Sequence, residues 1–457
     1  MPFTAVPLIA MLALAAHPDA RVRPVPVVVG HGVVALTGPW AFHTGDDPRW
    51  ADPAFDDSGW EMVDLAAPPN SHDGDVGLTG YVAGWTARGH ARYSGYAWYR
   101  LHVTLSAAAG DSVALSGPSD VEDAYQIFVN GSLLGGSGRF DGPKPVVFGP
   151  QPRVFPLRLS RSPGRADGID SADVVVAVRV WASPSTIAGA PRDAGGIHIA
   201  PAIGEASAIG ARYRLQWLEV VNGLVVEVAL PVSFLLLTVM AFSLYLTDRR
   251  DPSYLWLGAA LVATGLLRGN QAFFFWTQAE SANVFAVVKE VILTPLALGT
   301  WMMAWYSWLR PRAATIVPRA IAALTTSFAL SQLFATPYST PLVTQSISAV
   351  FQGISIGLHV CFAGMLVAIV YFGMRQHGLD SLAILAVVLM AIALFAYELS
   401  VLHVPGIWFP FGVGVSRAQF AYAGMDIALF ALLLRRHLTA GHWAAAHAVA
   451  TAAAAAA

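Results

Sequence analysis

Seven ionisable residues stand within long apolar stretches of this 457-residue chain: Glu227, Arg268, Lys289, Glu290, Glu398, Arg417 and Asp426. A charge surrounded by hydrocarbon is costly, so such groups face a bundle interior or water and pair with one another. Both signs occur at similar positions along their stretches, which allows Glu227 or Glu398 to pair with Arg268. The functional reading is a polar cluster that couples one end of a helix bundle to its arrangement. The plainer reading is interhelical glue, with Lys289, Glu290 and Arg417 at the membrane interface.

A second set lies in the Gly- and Pro-rich stretch 68–94, which holds His72, Tyr81, Trp85, His90 and Arg92. Long loops on the rim of a sheet domain commonly carry binding function. Exposed Tyr and Trp rings there would stack on the apolar faces of a sugar; otherwise they cap the domain's core. A third set, Asp46, Asp47, Asp52, Asp56 and Asp57, offers the hard oxygens calcium prefers but lacks the spacing of a calcium loop, and turn structure is the expectation. No catalytic residue, metal or cofactor is assigned.

The elements that must position these residues follow from composition. Hydrophobic residues make up 55% and charged residues only 12% of the chain, with a mean hydropathy of +0.55. Soluble domains carry about a quarter charged residues, so a large membrane-embedded part is required. The net charge of −2 supplies no basic field for nucleic acid. The single cysteine, Cys361, rules out an internal disulfide and a cysteine-based zinc site.

The chain divides into unlike parts. Pro2 to Ala16 is apolar, too short to span comfortably, and ends in small residues, as an export signal does. Residues 20–212 are polar and cut into short strand-like runs, among them Tyr96–Leu105, Val113–Leu115, Ala124–Val129 and Val174–Trp181. In the first, Ala97, Tyr99, Leu101, Val103 and Leu105 share one face and Trp98 takes the other. Asn130-Gly131 marks a tight turn between two strands. One antiparallel β-sandwich accounts for this half.

Residues 219–436 contain seven apolar runs, at 220–246, 254–276, 284–309, 318–336, 345–374, 381–403 and 413–435. Each is long enough for a hydrocarbon core of about 30 Å. The connections after runs one, three and five carry Arg249, Arg250, Arg310, Arg312, Arg319 and Arg375, and the tail carries Arg435 and Arg436. Those after runs two, four and six carry no Lys or Arg. The positive-inside rule then places the N-terminus outside and the C-terminus in the cytoplasm. Trp276, Trp301, Trp305, Trp308 and Trp408 near the run ends read as an aromatic belt. Gly353, Gly357 and Gly364 suit close helix packing, and Cys361 reads as an inert small hydrophobe in mid-run.

Gly38-Pro-Trp-Ala-Phe42, then Gly45 to Glu61, Gly95 to Arg100, Asp123 to Gly131 and Val176 to Trp181 resemble, in order, the sugar-binding jelly roll of family 2 glycoside hydrolases. The resemblance implies a galactose-binding-like β-sandwich over roughly 36–182. Those enzymes carry their two catalytic carboxylates on a separate barrel that this sequence lacks, so no hydrolysis is carried over. A sandwich followed by seven spans resembles the bacterial seven-transmembrane receptors with diverse intracellular signalling modules. That likeness implies an exported domain sensing a ligand, carbohydrate among the candidates, and a membrane unit relaying to a cytoplasmic kinase, cyclase or phosphatase. His437 to Ala457 is too short for such an output domain, so the output is expected from a separate partner or from a part lost by truncation.

The expectation is therefore a multi-pass inner-membrane protein: an extracytoplasmic antiparallel β-sandwich at 20–212, a seven-helix transmembrane bundle at 219–436 and a short Ala-rich tail at 437–457. It acts as a receptor, not an enzyme. Its partners are the bilayer, an outer small ligand and a cytoplasmic signalling protein, not nucleic acid. A transporter or membrane enzyme with an accessory outer domain is the alternative.

Overall fold

A computed structural model describes residues 24–30, 32–72, 79–108, 112–158, 169–189, 192–309, 316–336, 345–377, 380–396, 407–408 and 415–456. The export segment 1–16 and Glu398 lie outside the described residues.

The N-terminal half is built on two sheets. The larger runs β4 (Glu61–Val63), β3 (Trp40–Thr44), β5 (Gly95–Ala108), β11 (Ile169–Ala182), β8 (Ala124–Val129), β9 (Ser132–Ser137). The smaller runs β10 (Val154–Leu157), β6 (Val113–Ser116), β13 (Ala202–Glu205), β2 (Val33–Ala35). Pairing is antiparallel except at the edge, where β1 (Val25–Val29) lies parallel to β5, with Val25 opposite Val103. The period-two pattern of β5 explains the core. Ala97, Tyr99, Leu101, Val103 and Leu105 are each at most 3% exposed between the sheets, as alternating residues of one face must be. Trp98, on the reverse face, packs with Trp50, Trp60 and Phe128 in a separate cluster. The β8–β9 hairpin turns at Asn130 and Gly131, both at positive φ (47° and 81°), as such two-residue turns require.

The helical half begins earlier than the apolar pattern indicates. Helix α2 (Ala206–Gly223) leaves directly from β13; Arg212, Arg214 and Gln216 hide its continuity with the run that follows. After it come α3 (Val226–Thr247), α4 (Ser253–Trp276), α5 (Ala282–Ala286), a π-helical turn (Val287–Leu293), α6 (Thr294–Leu309), α7 (Ile316–Ala335), α8 (Gln345–His377), α9 (Ser381–Leu394) and α10 (Arg417–Ala456). A short helix, α1 (Pro184–Gly189), interrupts the sheet region.

Five helices are long and apolar enough to cross a membrane: Ala206–Thr247, Ala282–Leu309, Ile316–Ala335, Ile347–Arg375 and Ala418–Thr439. The other two expected spans are helical but differ. In α4 the stretch Arg268-Gly-Asn-Gln271 dilutes the apolar character, and Ser381–Leu394 has fewer than 18 residues among those described. The helices turn large apolar side chains outward: Val232, Leu235, Leu236 and Val239 of α3 are 53–64% exposed. An apolar surface on this scale belongs in contact with lipid chains. Inside, Phe234, Leu261, Trp301, Trp305, Phe362, Met390 and Met425 form one core across six helices.

Two readings are corrected here. Trp301 and Trp305 are 0% and 2% exposed, and their indole N–H groups donate to Thr264 Oγ1 (2.9 Å) and Met390 Sδ (3.0 Å); they are packing residues, not belt residues. Gly353, Gly357 and Gly364 have nothing within 4 Å of where a Cβ would stand, so they approach no helix among the described residues. Cys361, on the same outer side of α8, is exposed.

Candidate functional site

Among the described residues the sandwich is joined to the helices at two places. Helix α2 lies on the smaller sheet, with Ile209 buried against Ala114 and Ala202, and Gln216 Nε2 donates to Ser119 Oγ at 2.9 Å in a buried contact. The loop between β9 and β10 rests on the corner between α4 and α5. There Ala282 N–H donates to Val147 O (2.8 Å), Gln278 Nε2 to Gly149 O (2.9 Å) and Gln151 Nε2 to Phe275 O (3.2 Å). Gly149 is required by this close approach: a Cβ would stand 2.5 Å from Phe274 O.

About 10 Å below Phe275, at a rise of about 1.5 Å per residue, Arg268 reaches from α4 to α3. Its Nη2 contacts Glu227 Oε1, an oxygen that also accepts Gln419 Nε2 of α10 at 2.5 Å. The Glu227 side chain is 2% exposed. The Arg268 guanidinium lies 5.9 Å from the Tyr422 ring centroid, and Tyr422 meets Phe234 edge-on at 5.6 Å. Further along the seam, Ser233 of α3 contacts Asp426 of α10. Three helices are thus tied by polar groups in an apolar core, where such contacts specify one helix arrangement.

The expected cluster separates into parts. Glu227, Arg268 and Asp426 share this seam. Lys289 and Glu290 do not: they pair with each other at 3.2 Å on the π-helical turn, each more than a third exposed. Arg417 opens α10. Gln419, Tyr422 and Ser233 complete the seam; in the sequence their signal is the i, i+3, i+7 spacing of Gln419, Tyr422 and Asp426.

The loop residues also divide. Trp85 is 1% exposed, its Nε1 bonded to Tyr93 O at 3.0 Å and its ring against the Gly195–Gly196 backbone, so it offers no face to a ligand and serves the core. His90 pairs with Glu61 Oε2 at 2.7 Å and meets the Phe42 ring edge-on. Arg92 is exposed at φ +64°, and His72 bridges to Thr79 at the surface. Tyr81 stacks parallel on buried His198, with centroids 4.8 Å apart, and donates to Asp193 Oδ2 at 3.3 Å. Burial and the nearby carboxylates of Asp193, Asp120 and Glu122 raise the Tyr81 phenol above its ordinary value. His198 Nδ1 bonds to Val82 O at 2.9 Å and Nε2 faces Glu122 at 3.5 Å. Burial opposes its charge, but Glu122 and Asp120 outweigh that and raise its pKa above the ordinary value.

The acidic stretch is turn and ion-pair structure. Asp47 caps the 3-10 turn Pro48–Ala51, Asp52 and Asp56 accept backbone N–H groups of Ala54 and Ser58, and Asp46 pairs with Arg179 at 2.5 Å. Asp57 binds buried Arg100 (2.7 Å) and His102 (3.0 Å). Among the described residues no group of three metal-ligating side chains is assembled.

No family model matches the chain, and neither does any curated protein. Solved structures similar to part of it include a β-glucuronidase of Bacteroides uniformis (21% identity over 37% of this chain and 17% of that one, TM-score 0.24). A family 2 glycosyl hydrolase of Bacteroides cellulosilyticus (20%, 38% and 20%, TM-score 0.23) and a β-glucuronidase of Faecalibacterium prausnitzii (20%, 37% and 31%, TM-score 0.23) are also similar. The chain spans less than a third of each enzyme's length.

Proposed function

We propose that the chain is a membrane receptor. The sandwich, held outside the inner membrane, binds a small ligand, carbohydrate being the first class to try. Seven helical spans, N-terminus out and C-terminus in, pass its state to a cytoplasmic signalling partner, and no chemical step is assigned to the chain itself. Supporting this reading is one observation above the rest: the β9–β10 loop is hydrogen-bonded to the outer end of α4, the helix whose Arg268 is paired with Glu227 of α3. A ligand that favours one sandwich position would shift the population of helix arrangements through that connection.

The test uses the full chain in a Cys361→Ala background, with single cysteines at Ser132 on the sandwich and Thr439 on α10. In intact cells a membrane-impermeant thiol reagent is expected to label position 132 directly and position 439 only after permeabilisation. A panel of neutral and acidic oligosaccharides is then added while labelling at 439 is followed in inside-out vesicles. A changed labelling rate with any member supports a receptor. Uptake of the sugar without such a change would overturn the reading in favour of transport.

A further inference from the structure

We propose that the groove between α3, α4 and the π-helical turn is a binding site for one lipid acyl chain. Its volume is about 550 Å³, the size of a small-molecule site, and such sites are apolar with few polar groups. Leu261, Gly265, Gly269 and Phe273 of α4 line it. Spaced by four residues, they form one stripe along the helix axis for about 18 Å, at a rise of about 1.5 Å per residue. Pro231 of α3 and Val288 of the π-helical turn belong to the same lining. Two irregularities and two glycines keep the groove open. Pro231 interrupts the hydrogen bonding of α3, and the turn departs from the α-helical course. Cβ atoms on Gly265 and Gly269 would stand 3.8 Å and 3.7 Å from Pro231, so these positions have room for side chains they do not carry.

The occupant follows from where the groove opens. Leu235, Val262 and Leu266, which also line it, are exposed on the surface that the apolar helices turn towards hydrocarbon, so what enters comes from the bilayer. A stripe along a helix axis has the direction of the lipid chains beside it. Left empty, the groove would deprive its apolar walls of packing partners. Asn270, towards the C-terminal end of α4, is the one polar side chain in the lining, and among the described residues its Nδ2 has no hydrogen-bond partner. It sets the polarity: the head of the lipid lies towards that end, on which the β9–β10 loop rests. Pro231 stands one turn after Glu227 and Gly269 directly after Arg268, so the bound chain runs beside the pair that joins α3 to α4.

This inference rests on the chain standing in a bilayer and not on the receptor reading. The probe is a phosphatidylcholine with a photoactivatable diazirine in the middle of one acyl chain, incorporated into bilayers that hold the full chain. After transfer to lipid-free detergent, irradiation and peptide mapping are expected to find adducts between Leu261 and Phe273. Val360 and Val367, exposed on α8 and labelled in the bilayer, are expected to lose their adducts on the same transfer. Gly269→Leu, which fills the groove, is expected to reduce the retained adducts several-fold and to leave labelling of α8 in the bilayer unchanged. Loss of the groove adducts together with those on α8 would reduce the groove to ordinary lipid contact and overturn the proposal. So would a groove that stays unlabelled even in the bilayer, covered instead by a second copy or by the apolar segment 2–16 of this chain. Should Gly269→Leu fail to fold, the comparison of bilayer and detergent in the wild type decides alone.

Discussion

Arg100 and Asp57 show how one buried residue fixes a loop. Arg100 is 0% exposed and holds Asp57 Oδ2 as well as the carbonyls of Asp52 (3.1 Å) and Phe55 (3.4 Å), so the loop between β3 and β4 is organised around a single guanidinium. Removing one partner of such a pair strands a buried charge. Asp57→Asn is expected to cost about 3–5 kcal/mol, read as a lowered denaturation midpoint of the sandwich by tryptophan fluorescence. Burial alone would raise the Asp57 carboxyl, but hydrogen bonds from His102 and Arg100 outweigh it and leave it below the ordinary value. His198 has the opposite sign. Its pKa is raised on folding, so its contribution is complete below the ordinary histidine value of about 6.5 and is lost as pH rises through the higher folded value. Thermal melts of the full chain between pH 6 and 9 are expected to show sandwich stability falling with pH, and His198→Asn to flatten that slope. An equal slope in both proteins would remove His198 as the cause.

At the scale of elements, the sequence is most legible where one face is buried and the other is not. Period two identified the core face of β5 to the residue, and Asn130-Gly131 located a hairpin, because both signals are local. The π-helical turn, the parallel pairing of β1 and the start of α2 have no comparable local signal: they depend on what packs against them. Trp85 shows the same limit. Its loop context indicated a rim residue, whereas the distant Gly195 and Gly196 form a slot for its ring. Glycines in the helices behave likewise, since composition does not say which faces a neighbour. At Gly299 of α6 a Cβ would stand 2.5 Å from Thr325 Oγ1, whereas at Gly357 it would meet nothing within 4 Å. Gly299→Leu is expected to destabilise the helices by about 1–3 kcal/mol by overpacking, and Gly357→Leu to leave the melting temperature of the purified protein unchanged. Equal losses at the two positions would show that Gly357 is covered.

Over the whole molecule, hydropathy was enough to divide the chain into a sheet domain and an apolar helical part, because it is a sum over many residues. The joint between them was not legible. Its second place, at the β9–β10 loop, consists of backbone carbonyls of Val147, Gly149 and Phe275 meeting single side chains or amides from the other half, and carbonyls carry no residue identity. The polar seam was half legible: charges in apolar runs identify themselves, but their partners do not. The central claim is that the sandwich and the inner helix ends move together through Arg268. It is tested most directly by spin labels at Leu246→Cys, near the C-terminal end of α3, and Thr439→Cys, at the end of the apolar span of α10, in full-length Cys361→Ala protein in a bilayer. Gly149→Leu, which pushes the β9–β10 loop off the outer end of α4, is expected to shift the distance distribution between the labels, and adding Arg268→Leu is expected to abolish that shift. An unchanged distribution on Gly149→Leu, with the sandwich still folded, would contradict the account.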